Sequence, residues 1–489
     1  MIEFLNNFKT CFLDTFILIP FLCSFALGML VVLKNPIHIR MFAKLFFGIQ
    51  FFFSSFLLVC VNNAKFLIFG INCIYDKFSA IFTFLISFVF LLFIFISKTF
   101  IIKLHRMFYS VCILLYGLLN FFIVSDNVFL SLMIIFWIIL LKYFLFASYS
   151  KNIKKKKLRY GLAFDSILFL LLVSLIGWDF VRYFVLNNVS LNFSTISQYL
   201  YHINDDSIKI AFVGFLILIF KLFGLIPFDV KTVKESENIN LLVVLLNKII
   251  FLTLGIVLFV KVFCVFNYLF YKYQELISIF LLLNFIYFVI LSYREDYLFK
   301  FFINIIPVIL ISGMFSVFSF ENNGLISFIF YAICSILSIL LCGFIFTLIK
   351  NKFKTDKIDE LKRITQKARN AKFFVIFSLL NIAKVPLTSM FGAFLISFVL
   401  IFSTTYTSPL LNIMPYCLFL GNFILSLNLL NIIYKILIEP QEYSKEELTL
   451  SNHQLLPMVV LVFVLVLMVF SSQLIFNTLS NVIDIGVIN

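Results

Sequence analysis

Apolar runs of about twenty residues, separated by short polar stretches, recur along the whole chain. At about 1.5 Å per residue, such a run crosses the ~30 Å hydrocarbon core of a bilayer as an α-helix. The pattern predicts fourteen spans, at 12–33, 43–61, 78–97, 107–124, 127–148, 161–180, 209–226, 241–266, 276–292, 301–319, 325–349, 373–402, 411–437 and 457–476. An all-α polytopic membrane protein follows, read as a single membrane domain over 1–489. The longest connections, about 181–208 and 350–372, are too short for a soluble catalytic domain. The first run is too long for a signal-peptide core and lacks a small-residue cleavage site, so it is expected to stay as a helix.

Composition agrees: 63% of residues are hydrophobic, 12% are charged, and the mean hydropathy is +1.13. A soluble domain carries about 25% charged residues. Of the 38 Lys and Arg, 26 fall in connections after odd-numbered spans, counting Lys44 at a span edge, and five fall on the opposite side. The remaining seven lie within or at the ends of spans. By the positive-inside rule both termini are expected on the outer face. The net charge of +15 follows from this asymmetry and needs no nucleic-acid partner. The basic run at 151–159, KNIKKKKLR, reads as a stop-transfer flank, with contact to anionic lipid headgroups as the sharper alternative.

The nine cysteines are scattered without a C-x-x-C pair, and the four histidines lack metal-ligand spacing. With no Walker or G-x-G-x-x-G loop either, neither metal nor nucleotide cofactor is expected. The 71 Phe and 15 Gly suggest an AT-rich coding genome such as an organelle's.

Candidate chemistry lies in the charges inside the spans. Lys209, Lys261 and Lys435 fall near helix ends and are expected to snorkel. Lys221 and Lys248 sit within apolar runs, where a charge costs roughly 3 kcal/mol on insertion scales and usually marks an ion pathway. The bland alternative is a structural buried charge, and for Lys142 and Lys384 the two readings stay level. Asp165 is the clearest intramembrane carboxylate, with Asp179 near the outer end of the same span. Pro227 follows Lys221 by six residues and Pro386 follows Lys384 by two. Proline removes a helix hydrogen bond, and a break at membrane depth is tolerated where it is buried in protein or lines a wet cavity. Lysine beside proline in two spans predicts broken helices within inverted repeats, approximately 107–266 and 276–437.

The segment K221-L-F-G-L-I-P-F, with N247-K248 in the next run, resembles the antiporter-like membrane subunits of respiratory NADH:quinone oxidoreductase, nearest to bacterial subunit N, the mitochondrial subunit 2. S125-D-N-V-F-L-S-L with L145-F-A-S-Y149, L158-R-Y160, A383-K-V-P386 with F391-G392, and N431-I-I-Y-K435 resemble further stretches of that family. The resemblance implies a proton-translocating subunit in which Lys221 and Lys248 relay protons and Pro227 and Pro386 open helices to water. NADH oxidation and ubiquinone reduction would belong to other subunits, with no NADH bound here. The implied partners are the other membrane subunits and the lipid bilayer. The implied location is the mitochondrial inner membrane, with a bacterial plasma membrane as the alternative.

The departures sharpen the expectation. On a gapless match, the family's fifth-helix glutamate falls at Trp137, and a family proline falls at Lys142. The family's twelfth-helix lysine falls at Ala393 or Phe394, while Lys384 stands about two turns earlier at a usual glycine. The family's central histidine has no counterpart near Pro307, and the loop after Lys221 is shortened. Lys142 and Lys384 become candidate replacements for missing relay partners. The rival expectations are a scaffold subunit that has lost pumping, and a free-standing cation/proton antiporter or lipid flippase.

Overall fold

The computed structural model describes residues 35–60, 64–68, 71–100, 105–149, 163–174, 190–200, 206–228, 240–353, 369–403, 409–438 and 452–473, with a few isolated positions besides. The predicted span at 12–33 and the basic run at 151–159 lie outside the described residues, Cys23, Ala26 and Leu27 excepted.

In apolar surroundings every backbone N–H and C=O must find a partner within its own segment, so the apolar runs become helices. The first five elements of this kind are α1 (Pro36–Cys60), α2 (Lys77–Phe100), α3 (His105–Val124), α4 (Val128–Tyr149) and α5 (Ala163–Ser174). A short helix, α6 (Phe193–Leu200), precedes α7 (Asp206–Phe223), α8 (Leu241–Val265) and α9 (Asn267–Lys272). The second half comprises α10 (Gln274–Tyr293), α11 (Leu298–Met314), α12 (Asn322–Phe353), α13 (Arg369–Ile382), α14 (Ser389–Ser403), α15 (Pro409–Ile438) and α16 (Asn452–Phe470). A 3₁₀ turn, Phe315–Ser319, continues α11.

Among the described residues, ten helices are long and apolar enough to cross a membrane. Three shorter apolar ones are α5, the Lys372–Ile382 part of α13, and α14. Of the other four predicted spans, the one at 12–33 lies outside the described residues, and the one at 209–226 corresponds to α7, which carries Asp206, Lys209 and Lys221. The span predicted at 161–180 is helical at every position described within it, with Ala163–Ser174 its longest continuous stretch, and the one at 373–402 is divided into α13 and α14.

The sequence reading missed an antiparallel hairpin, β1 (Ala64–Ile68) and β2 (Ile71–Tyr75), with Ala64 opposite Tyr75 and Ile68 opposite Ile71. Its second strand meets the α3–α4 turn, where the Asp126 N–H donates to the Asn72 carbonyl at 3.1 Å and Cys73 bridges Ser125.

Helices α11 and α12 are fully buried over a membrane-spanning stretch and α8 almost so. They form the middle of the bundle, with α12 packing on α2, α8, α11, α13, α14 and α16. By contrast, α1, α15 and α16 carry outward apolar side chains such as Phe52, Phe423 and Phe470, which a bilayer solvates without cost. Aromatic rings fill much of the interior; Phe47, for example, stacks on Phe90 at 5.6 Å and meets Tyr116 edge-on at 5.4 Å.

Lys261 corrects one expectation. It does not snorkel outward: its ammonium donates to the carbonyls of Phe122 (2.8 Å) and Ser125 (2.7 Å) at the end of α3. Those terminal carbonyls have no intrahelical donor and carry the negative end of the helix dipole, so a cation suits them.

Candidate proton-relay site

Four helices bring polar side chains to one cavity of about 50 Å³. Lys142 comes from α4, Asp165 from α5, Lys221 from α7, and Asn247 and Lys248 from α8. Helical periodicity explains the α4 contribution: Ile135, Ile138 and Ile139 are buried on the face that carries Lys142, while Met133, Trp137 and Phe144 are exposed on the other. Trp137, where the gapless match places the glutamate, is 56% exposed. A side chain there points away from Lys221, so the loss of a carboxylate at 137 removes nothing from this cavity.

Asp165 takes that place from another helix. One carboxylate oxygen lies 3.0 Å from Lys221 Nζ, and the other lies 3.6 Å from Lys142 Nζ. The second oxygen also accepts a hydrogen bond from the Tyr143 hydroxyl at 2.6 Å. Lys221 occupies the last turn of α7, where the helix dipole favours a positive charge. The Lys142 ammonium is 5.0 Å from the centre of the Phe251 ring and 5.1 Å from that of Tyr143, within cation–π range.

α7 ends at Phe223 in a turn centred on Gly224, whose φ is 75°. The Gly224 N–H donates to the Lys221 carbonyl and the Leu225 N–H to the Phe220 carbonyl, closing the paired bonds of a Schellman C-cap. The next residues are held by Asn284 of α10, which accepts from the Ile226 N–H (2.9 Å) and donates to the Ile226 carbonyl (3.2 Å). Pro227 follows on an exposed position, and 229–239 lie outside the described residues.

The turn between α13 and α14 repeats this pattern. The Lys384 N–H donates to the Asn381 carbonyl and the Val385 N–H to the Leu380 carbonyl, with Lys384 at φ 55°. Lys384 thus fills the position that Gly224 fills at the end of α7. Helix resumes at Ser389, with exposed Pro386 in the interval. Asn381 ties the two halves together, its side-chain carbonyl accepting from the Ser389 hydroxyl (3.2 Å) and the Met390 N–H (3.3 Å).

The structure does not bring Lys384 to the cavity of Lys221. It lies in a second polar site, 7% exposed, where its ammonium donates to the side-chain carbonyl of Asn422 on α15. The Ser312 hydroxyl of α11 donates to the same oxygen at 3.2 Å. The Lys384 ammonium also lies 4.3 Å from the centre of the Phe394 ring, so its charge reaches the place where the family match seeks a lysine. Among the described residues no carboxylate stands within 4 Å of it.

Sequence reasoning singled out Lys142, Lys221 and Lys248, and these share one site. It had noted Asp165 without placing it, and it had no signal for Asn422 or Ser312, since a lone Asn or Ser in an apolar helix has many structural uses.

The fold recurs in solved membrane complexes. A chain of respiratory complex I from Thermus thermophilus, solved with bound NADH, superposes with a TM-score of 0.81 over 95% of this chain and 97% of that one, at 14% identity. A chain of the Mrp complex from Dietzia sp. DQ12-45-1b gives 0.82 over 97% of each, at 12% identity. One from the membrane-bound sulfane sulfur reductase, an archaeal respiratory membrane complex, gives 0.77 over 96% of each, at 12% identity. No protein-family model and no curated protein matches the chain. At these identities the likeness establishes a shared fold.

Proposed function

We propose that the chain is a proton-translocating core membrane subunit of a respiratory NADH dehydrogenase, with the redox chemistry carried by other subunits. The observation that carries this reading is Asp165 shared between Lys221 and Lys142 beside a cavity that Lys248 also lines. An ammonium in apolar surroundings stays charged while an opposite charge is near and yields its proton more readily when that partner moves. One carboxylate between two lysines is such a movable partner: closer pairing with Lys142 releases Lys221, and the reverse recharges it. A site needs about 10–15 Å³ to hold a water, so the cavity has room for a few to carry the proton onward to Lys248.

The same geometry favours a proton over a metal cation as cargo. A hard cation needs several free oxygen ligands. Here the one carboxylate is already engaged by two ammoniums and a phenol. The site also favours pumping over the lost-pumping variant, because Asp165 supplies the acid that the residue at 137 does not.

Lys384 would act as the relay group of the second half, lending its charge near Phe394 from the break itself. The matching hydrogen bonds at the two breaks support a pair of repeats near 107–266 and 276–437. The lysine asymmetry of the sequence supports a multi-pass orientation with both termini outside. The partners are the other membrane subunits, in a mitochondrial inner membrane or a bacterial plasma membrane.

Co-purification tests the assignment. The native chain is expected to travel with other oxidoreductase subunits, and migration alone would favour a free-standing antiporter or flippase. Lys221→Ala and Lys248→Ala, built into the assembled enzyme, are expected to lower the proton-to-electron ratio. Normal assembly with an unchanged ratio would leave the scaffold reading.

A further inference from the structure

Asn304 lies in α11, fully buried, and neither its amide nitrogen nor its amide oxygen has a hydrogen-bond partner among the described residues. Four other intramembrane asparagines behave differently. Asn120, Asn247, Asn284 and Asn422 each turn their amide N–H back onto the carbonyl four residues earlier, at 2.8–3.1 Å. Asn304 had the same option and does not take it. A second polar deficit lies beside it. Pro307 stands inside α11 and has no N–H, so the Ile303 carbonyl loses the donor that a regular helix would supply. An orphan amide, and a carbonyl freed one residue earlier in the same helix, are the kind of polar groups that a buried water requires, since such waters make two to four hydrogen bonds to unsatisfied groups.

The place of this deficit in the helix gives it a use. Ser312, which donates to the Asn422 carbonyl beside Lys384, is eight residues further along α11, about 12 Å away along the axis. Towards its start, α11 reaches the end of the bundle where Lys300 and Lys350 lie over Tyr297 and Phe299. Asn304 therefore stands between that charged end and the buried lysine.

We propose that Asn304 and the Ile303 carbonyl freed by Pro307 form a bound-water site that hydrates the approach from the lysine-bearing end of α11 to Lys384. The hydration stands on the geometry alone, and its part in transport rests on the proton-translocation reading above. The test is a map of the native complex, and of its Asn304→Leu variant, at a resolution that shows ordered water. The expected result is a water within hydrogen-bond distance of the Asn304 amide in the native complex and its loss in the variant. A native map without water at the amide overturns the site. The transport role is read separately, as a proton-to-electron ratio lower in Asn304→Leu than in the parent. An unchanged ratio in Asn304→Leu overturns that role if Lys221→Ala does lower it. If Lys221→Ala leaves the ratio unchanged as well, the translocation reading has failed, while the water seen in the map still decides the site.

Discussion

Lys384 carries two costs at once, an ammonium in the bundle interior and a left-handed backbone that non-glycine residues rarely adopt. Glycine meets the same conformation at 224, at the equivalent turn of the first break. Lysine at 384 therefore stands against the local backbone preference. Lys384→Gly is predicted to stabilise the solubilised protein by about 1 kcal/mol, read as a higher thermal midpoint, while lowering the proton-to-electron ratio of the assembled complex. A lower midpoint would show that the Asn422 contact outweighs the backbone strain. Asp165 is the converse case, a carboxylate with three partners whose loss strands two cations.

The spans were legible at element scale because period and length suffice to fix an apolar helix, so α2, α3, α4, α8 and α10 lie within about three residues of their predicted bounds. The hairpin β1–β2 was not read, although two five-residue β-prone runs flank Phe69-Gly70, because membrane-helix patterning dominates its surroundings. Partnering across helices was legible only in part. The spacing of Lys221 to Pro227 and of Lys384 to Pro386 indicated where to look. The link from Asp165 to Lys221 depends on how α5 and α7 pack, which no spacing within either helix encodes. The clamp by Asn284 on Ile226 was invisible for the same reason. Asn284→Leu removes a donor and an acceptor from a largely buried turn, leaving two backbone groups of Ile226 unpartnered. It is predicted to destabilise the first break by about 3 kcal/mol, measured as faster hydrogen exchange at Gly224–Phe228 than in the parent. Unchanged exchange would show that the C-cap bonds hold the turn without it.

Across the whole molecule, the bundle buries two polar sites, and their contrast is the main structural result. The first has three lysines and one carboxylate around a cavity; the second has one lysine held by an amide. Lys261 fixes the end of the bundle remote from the first site, about 20 Å along α8 from Lys248, by joining α8 to the carbonyls that close α3. Lys261→Met is predicted to cost about 2 kcal/mol of stability through the Ser125 carbonyl left unpartnered, the Phe122 carbonyl keeping the Ser125 hydroxyl, with the proton-to-electron ratio of assembled enzyme unchanged. A lowered ratio in normally assembled enzyme would instead place Lys261 on the proton route. The central claim is that Asp165, shared by Lys142 and Lys221, makes this chain a proton relay. The most direct test is the proton-to-electron ratio of the assembled oxidoreductase carrying Asp165→Asn, with subunit content checked against the parent. The predicted result is full assembly with a lower ratio; full assembly with the parental ratio would contradict the claim.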